Sequence, residues 1–597
     1  MRKYLMMTMV AMAAMVTSAS AEVINVGGTD YQADILIDRD LGAGVRYLRV
    51  RLPEYPLNVN LLITDLTHPY SHMETTQSKD VLGGTELLTT AAKRQTYEGH
   101  KVLAGANANF WCVAGQPPRS DLIKGWTFSA NVRNGKVLTE TNNNKDKWPS
   151  TAANEVNGIV GVDKDKKAYA AHMLTYASLT SKATGTVAIN QINKVTRNQE
   201  VGLYNSYYPA GKSVMLVRAS TSYGTDGKTH YKLAETIEGE TGKSAIVYLN
   251  FKPGNDWKIG EDMVCEVKKM VTNSYTGTLD GYDMCLTGFT TTATTLRKLS
   301  VGDEVTVNIS WKETENGEAP KFMQMVAGNT LSMADGKLTG ADDLQDGYNN
   351  SIYSRTGHGC SADGTKMYSI VIDKATDPVY GASAGCTVAK MCDIARHFGC
   401  ANLVNFDAGG SAEMLVGDKI INKTTETSPR AVANGVFYYS LAPTDNTITR
   451  LEFDAVSLKV EPNSTLTPVV LGYNQYGDLI EQSVTGFTLS CDAAVGTCSG
   501  STFTAGAADA SGVLTATLNG VSVSKAITVG KGSTGIDDVY YGEVELAQIN
   551  VYSLSGVKVL TVESEDVLAG AGLPTGVYVV ESVYTNGSRQ TRKMILR

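Results

Sequence analysis

Basic runs are missing from this chain of 597 residues, and no stretch beyond its first two dozen is apolar enough to span a bilayer. Lysine and arginine number 53 against 61 aspartate and glutamate, giving a net charge of −8 and a pI near 5.6. Nucleic acid is thereby excluded as an expected partner, and an anionic ligand needs individual arginines to hold it. The nine cysteines include no C-x-x-C pair, which argues against a structural zinc site. EF-hand spacing is absent too, so no cofactor is predicted and no metal ligand assigned. A divalent cation such as calcium stays open through carboxylate and asparagine clusters. Gly409-Gly410-Ser411-Ala412-Glu413 lacks the glycine two residues after serine that a nucleophile elbow needs.

What is present begins with a secretory leader over residues 1–21. Arg2 and Lys3 supply the basic end, Leu5 to Val16 the apolar stretch, and Ala19-Ser20-Ala21 the cleavage site. The expected location is secreted or cell-surface, with periplasm as the alternative. Export permits disulfides, and Cys491 with Cys498 is the expected pair. Cys386, Cys392 and Cys400 fit buried thiols as well as a bridge.

The length implies three or four domains. Residues 22–442 mix strands with two helices, Thr85 to Tyr97 and Thr387 to Phe398. This predicts an α+β catalytic domain of mixed sheets with flanking helices, carrying a β-rich insertion over about 189–335. Two small all-β sandwich domains are expected after it, at 446–530 and 536–597, joined by the flexible Gly530-Lys531-Gly532-Ser533-Thr534-Gly535. Helix, apolar strand and small-residue loop occur twice. Ala106-Asn107-Ala108-Asn109-Phe110-Trp111 closes the first instance and Asn405-Phe406-Asp407-Ala408-Gly409-Gly410-Ser411-Ala412 the second. Gly409 and Gly410 admit close backbone approach, and successive amides there suit an anion. Helix capping by Asp407 or Ser411 explains the same residues without a ligand.

Five ordered blocks resemble the phosphodiester glycosidase family, whose animal member is the mannose 6-phosphate uncovering enzyme. They are Gly105 to Trp111; Arg355-Thr356-Gly357; Asp373 with Ser383 and Gly385-Cys386-Thr387; Asn405 to Ser411; and Ser428-Pro429-Arg430 with Asn434. Asn109 stands where many bacterial relatives carry an acid, Ala408 replaces a glycine, and Trp111 replaces a phenylalanine. Residues 446–530 are similar to bacterial immunoglobulin-like modules. The tail, with Val551 to Gly556 and Leu573 to Tyr578, resembles the sorting domain of type IX export substrates, which implies attachment at the outer surface.

The resemblance implies hydrolysis of a sugar-1-phosphodiester such as that of N-acetylglucosamine, so the expected partner is a phosphodiester-linked glycan. Guanidinium is the best bidentate partner for its charge, which singles out Arg355 and Arg430, with Arg119 weaker. A departing phosphomonoester, with a second pKa of about 6, needs no full proton, so one carboxylate suffices. Asp407 is the candidate, as nucleophile or as base on water. Glu413 and Asp373 are the alternatives, each with a structural reading of similar weight. Ser411 joins Asp407 and the two arginines in the expected catalytic set. Asn107, Asn109, Thr356, Gly409 and Gly410 offer hydrogen bonds to phosphate or sugar. His358 can serve as acid or base near neutral pH, whereas His397 completes a helix end. A surface glycan-binding protein with a decayed domain is the competing reading.

Overall fold

The computed structural model describes residues 22–112, 124–141, 158–194, 196, 199–208, 214–215, 217–223, 229–233, 244–274, 276–279, 281–339, 347–530, 546–553, 557–563, 567, 572–584 and 589–596. The leader at 1–21, Arg119 with its two prolines, and the linker beyond Gly530 lie outside them. Strand accounts for 53% of the structure and helix for 7%, which overturns the expected α+β catalytic domain with flanking helices. Three α-helices occur among the described residues: Leu88–Gln95, Thr291–Leu296 and Val388–His397. The physical reason is that the sheets cover one another, so few helices are needed to bury their faces.

A nine-stranded antiparallel sheet forms the base. Its order is Glu22–Val26, Thr29–Gly42, Val45–Leu52, Leu57–Asp65, Lys366–Ile372, Arg355–Cys360, Asn402–Asn405, Leu331–Ala334 and Lys337–Leu338. Alternation along Leu57–Asp65 sends Leu57, Val59 and Leu61 to one face and Leu62 to the other. The first face packs on the helix Val388–His397 through Met391, Ile394 and Ala395. That helix starts where expected because the Thr387 hydroxyl accepts from the Lys390 N–H at 3.4 Å.

The second face meets a five-stranded sheet ordered Lys419–Ile420, Met414–Val416, Lys101–Asn107, Asn434–Ser440 and Ser71–Gln77. Val45, Leu62, Val371 and Phe406 of the first layer interlock with Leu103, Ala106, Met414 and Val436 of the second. Another five-stranded sheet, which includes Gly158–Asp163 and Phe322–Gly328, closes this core with Val160 and Val326. An eight-stranded sheet running from Leu174–Ser181 to Glu304–Lys312 builds a separate core around Trp311. Residues 450–529 form three small sheets around Phe453, Leu514 and Ile527, where the thiols of Cys491 and Cys498 lie side by side. Four further strands, from Leu546–Ser553 to Arg589–Leu596, complete the described chain.

The 450–529 unit is fastened to the base sheet by a buried clamp. Arg39 Nε and Nη2 donate to the two carboxylate oxygens of Asp454 at 3.1 and 2.6 Å, with side chains 3% and 6% exposed. The Tyr473 hydroxyl donates to the Asp40 carbonyl, and Gly42 approaches Asp478 so closely that a Cβ would lie 2.6 Å from its Cα. Arg39→Ala removes the guanidinium that grips both carboxylate oxygens of the buried Asp454, so chemical denaturation is expected to show a loss of about 3–5 kcal/mol. A loss under about 1 kcal/mol, the range of exposed pairs, would contradict a buried clamp.

Candidate active site

The chain crosses from the base sheet to the second sheet through residues 406–413. Strand Asn402–Asn405 ends the approach, and Gly409 turns the chain at φ +66°. One 3₁₀ turn, Gly409–Ser411, follows before Met414 pairs with Ala106. Ala408 has φ −126°, a region open to any residue, so the replacement of glycine there costs nothing.

Asn107, at the end of its strand in the second sheet, organises this crossing. Its Oδ1 accepts from the Thr356 hydroxyl at 2.8 Å and from the Glu413 N–H at 3.1 Å. Its Nδ2 donates to the Asp407 carbonyl at 2.8 Å, and its own N–H donates to the Glu413 carbonyl at 3.2 Å. One buried carboxamide thus joins both sheets to both ends of the loop.

Asp407 lies against Ser411, Arg430, Trp111 and Tyr348. Burial pushes its carboxyl up to about 6, and the Ser411 hydroxyl, Arg430 and the Ala408 N–H restrain the rise. The Ala408 N–H donates to Asp407 Oδ1 at 3.0 Å and also faces the Tyr348 hydroxyl. The buried indole N–H of Trp111 makes no hydrogen bond of ordinary geometry, yet it favours the ionised Asp407. Tyr348 is itself raised by burial and by Asp407, and its ring lies 5.7 Å from Phe110 and 5.6 Å from Tyr353.

Arg430 reaches the same spot from the far side. Its Nη1 donates to Ser411 Oγ at 3.2 Å, while Nε and Nη2 grip the two carboxylate oxygens of Glu426. Gly410 makes room for that pair: a Cβ there would sit 2.3 Å from Arg430 Nη2 and 2.6 Å from Glu426. Glu413 is fully buried. Its Oε1 accepts from the Arg430 N–H, its Oε2 has no partner, and burial pushes the group up to about 7.

Other expected residues lie elsewhere. Arg355 is buried in the base sheet, where Nε donates to the Cys386 carbonyl at 3.0 Å and Nη2 to the Tyr348 carbonyl at 2.8 Å. It also bonds the carbonyls of Asn349 and Ser351, so it holds the loop that carries Tyr348. His358 Nε2 donates to the Asn107 carbonyl, since a carbonyl only accepts, and Nδ1 then accepts from Ser369, both at 2.8 Å. Burial lowers this imidazole to about 4, so it is a neutral core residue near pH 7. Asp373 sits beneath the loop with Asn422, the Lys423 N–H and Arg49, and burial raises it to about 7. His397 bonds Glu22 at 3.1 Å beyond its helix end.

Asn109 faces away from Asp407. Its Nδ2 donates to the Ser129 and Ala130 carbonyls at 3.3 and 3.0 Å, and its Oδ1 accepts from Asn434 and the Ala327 N–H. Tyr348 and Glu426 are the site residues that sequence reasoning missed. Tyr348 lies in no family-like block, and the only signal for Glu426 was its spacing of four from Arg430. Among the described residues no three His, Cys, Asp or Glu side chains gather as metal ligands would.

Comparison with known proteins adds a family. Residues 266–439 match the phosphodiester glycosidase family. That span carries Tyr348, Asp407, Ser411, Glu413, Glu426 and Arg430, and it points to a hydrolase domain of this type. No curated protein matches the chain. Similar solved structures include a hypothetical protein from Synechocystis, at 14% identity and TM-score 0.45, where 66% of this chain covers 62% of that one. A Burkholderia pseudomallei protein named as exported gives 16% identity and TM-score 0.45, with coverages of 64% and 74%. The zebrafish N-acetylglucosamine-1-phosphodiester alpha-N-acetylglucosaminidase catalytic domain gives 10% identity and TM-score 0.27, with coverages of 69% and 85%.

Asn109→Asp removes two donors from buried carbonyls and places a carboxylate against them. Thermal melting is expected to show a loss equivalent to about 1–3 kcal/mol. An unchanged melting temperature would contradict an inward structural role for Asn109.

Proposed function

We propose that the chain hydrolyses a sugar-1-phosphodiester, such as that of N-acetylglucosamine, to free sugar and a phosphomonoester. The supporting observation is the meeting of Asp407, Ser411 and Arg430, which are 4 and 19 residues apart across the loop, at one partly exposed place. A family match over the same residues agrees with it. Asp407, ionised, serves the anomeric carbon either as nucleophile or as base on water. Arg430 and the glycine-lined turn hold the phosphoryl group, a fixed-charge arrangement that stabilises the departing anion. The rings of Tyr348 and Trp111 give the sugar an aromatic wall with polar tips.

Glu413 keeps this site from becoming too negative. As a neutral acid it fastens the Arg430 backbone, and its ionisation would set a second charge against the incoming phosphate. Arg355 supports the chemistry indirectly, through the Tyr348 loop. The competing view of a decayed glycan-binding domain drew on Asn109, Ala408 and the two appended β domains; the Asn109 amide is taken up by the Ser129 and Ala130 carbonyls, and Ala408 has backbone angles that any residue adopts. The leader-like 1–21 stretch supports action outside the cytoplasm, with the tail domain as the surface attachment. No described helix is long and apolar enough to cross a membrane.

The purified chain is expected to release N-acetylglucosamine from its 1-phosphodiester, and Asp407→Asn to lower kcat about 10²–10⁴-fold. Both carboxyls are raised by burial, so the signs are opposite for the two roles. Activity falls as pH drops through about 6, where Asp407 takes up a proton, and falls again as pH rises through about 7, where Glu413 loses one. The acid limb reports Asp407 and the alkaline limb Glu413. Undiminished turnover in Asp407→Asn, or a rate that is flat from pH 5 to 8 on the order of these limbs, contradicts the assignment.

A further inference from the structure

The fork of Arg430 that would receive a phosphoryl group is already filled by a carboxylate of the same chain. Glu426, four residues earlier, accepts from Nε at 3.1 Å and from Nη2, the two-pronged geometry that a phosphate would also use. The pair lies directly over Gly410, where a Cβ would meet both partners. Both side chains are partly exposed, at 36% and 42%, so solvent and ligand reach them. Glu426 itself stands on an irregular segment between Asn422 and Arg430, tied there by the Thr424 hydroxyl, which donates to its carbonyl at 3.0 Å.

Resting on the phosphodiester reading above, we infer that Glu426 is an internal competitor for the phosphoryl subsite, which the substrate must displace from Arg430. An exposed ion pair of this kind is weak, so exchange is cheap. A phosphoryl group offers equal geometry with stronger acceptors, and Ser411 Oγ adds a contact beside the Nη1 that Glu426 leaves aside. Weak anions such as simple carboxylates gain nothing by the exchange. Glu426 therefore sets a threshold that favours phosphoryl groups and keeps Arg430 aimed at Ser411 when no substrate is bound. The charged groups facing this fork are Glu426, Asp407 and Glu413, all of which act on Arg430.

Inorganic phosphate is the probe, titrated by calorimetry into the full chain carrying Glu426→Gln, Glu426→Ala or Arg430→Ala, with melting curves as the folding control. Both Glu426 variants are expected to bind phosphate about three- to tenfold more tightly than the parent. The gain shrinks toward unity as salt rises, because screening weakens the Glu426–Arg430 pair that phosphate must displace. KM for the N-acetylglucosamine phosphodiester falls in parallel. Phosphate binding that is unchanged or weaker in both Glu426 variants overturns the competitor role and makes the ion pair structural. Phosphate binding that Arg430→Ala leaves intact overturns the phosphoryl subsite itself, whatever the Glu426 variants do.

Discussion

The carboxamide of Asn107 is the constraint on which the candidate site depends. Two sheets end near one another, and a loop must pass between them carrying an acid, a hydroxyl and two glycines. Loops crossing a buried space leave backbone groups that need partners. Asn107 supplies several at once, taking the Glu413 N–H and the Thr356 hydroxyl on one oxygen and giving a proton to the Asp407 carbonyl. His358 then anchors the Asn107 carbonyl from behind, in a chain that runs on through Ser369 to Tyr438. The Asp407 loop is thus held by a chain of hydrogen bonds that runs back into the core.

Around that frame the electrostatics follow from burial. Asp407 and Glu413 both pay desolvation, and Arg430 is the guanidinium that acts on both. One base and one neutral acid sharing Arg430 limit the negative charge that a phosphate would meet there. Arg430 in turn is shared between Ser411 within the site and Glu426 at its rim. Trp111 and Tyr348 lie against Asp407, and Phe110 packs its ring on Tyr348.

Much of this was legible before any coordinates. The Asp407 loop stood out by its small residues, the Asn107 block and Arg430 by the family-like blocks that hold them, and a helix was expected over Thr387 to Phe398. What was not legible depends on contacts between distant segments. Arg355 and Arg430 look alike in sequence, yet one is spent on backbone carbonyls and the other reaches the acid. Asn109 reads as a lost acid until its donors are seen on Ser129 and Ala130. His358 reads as a proton carrier until burial removes its charge. The fold class failed for a related reason: two helical stretches stood beside the motifs, and alternation elsewhere gave no sign that sheets would cover sheets.

The role of Asn107 can be measured directly with Asn107→Asp, which keeps the shape and the acceptor but removes the donor to the Asp407 carbonyl. Displacement of that peptide by an ångström is expected to lower kcat/KM for a sugar-1-phosphodiester about 100-fold, with the protein still folded. A folded variant with parental kcat/KM would show that the loop holds its shape without this carboxamide, and the account would be wrong at its centre.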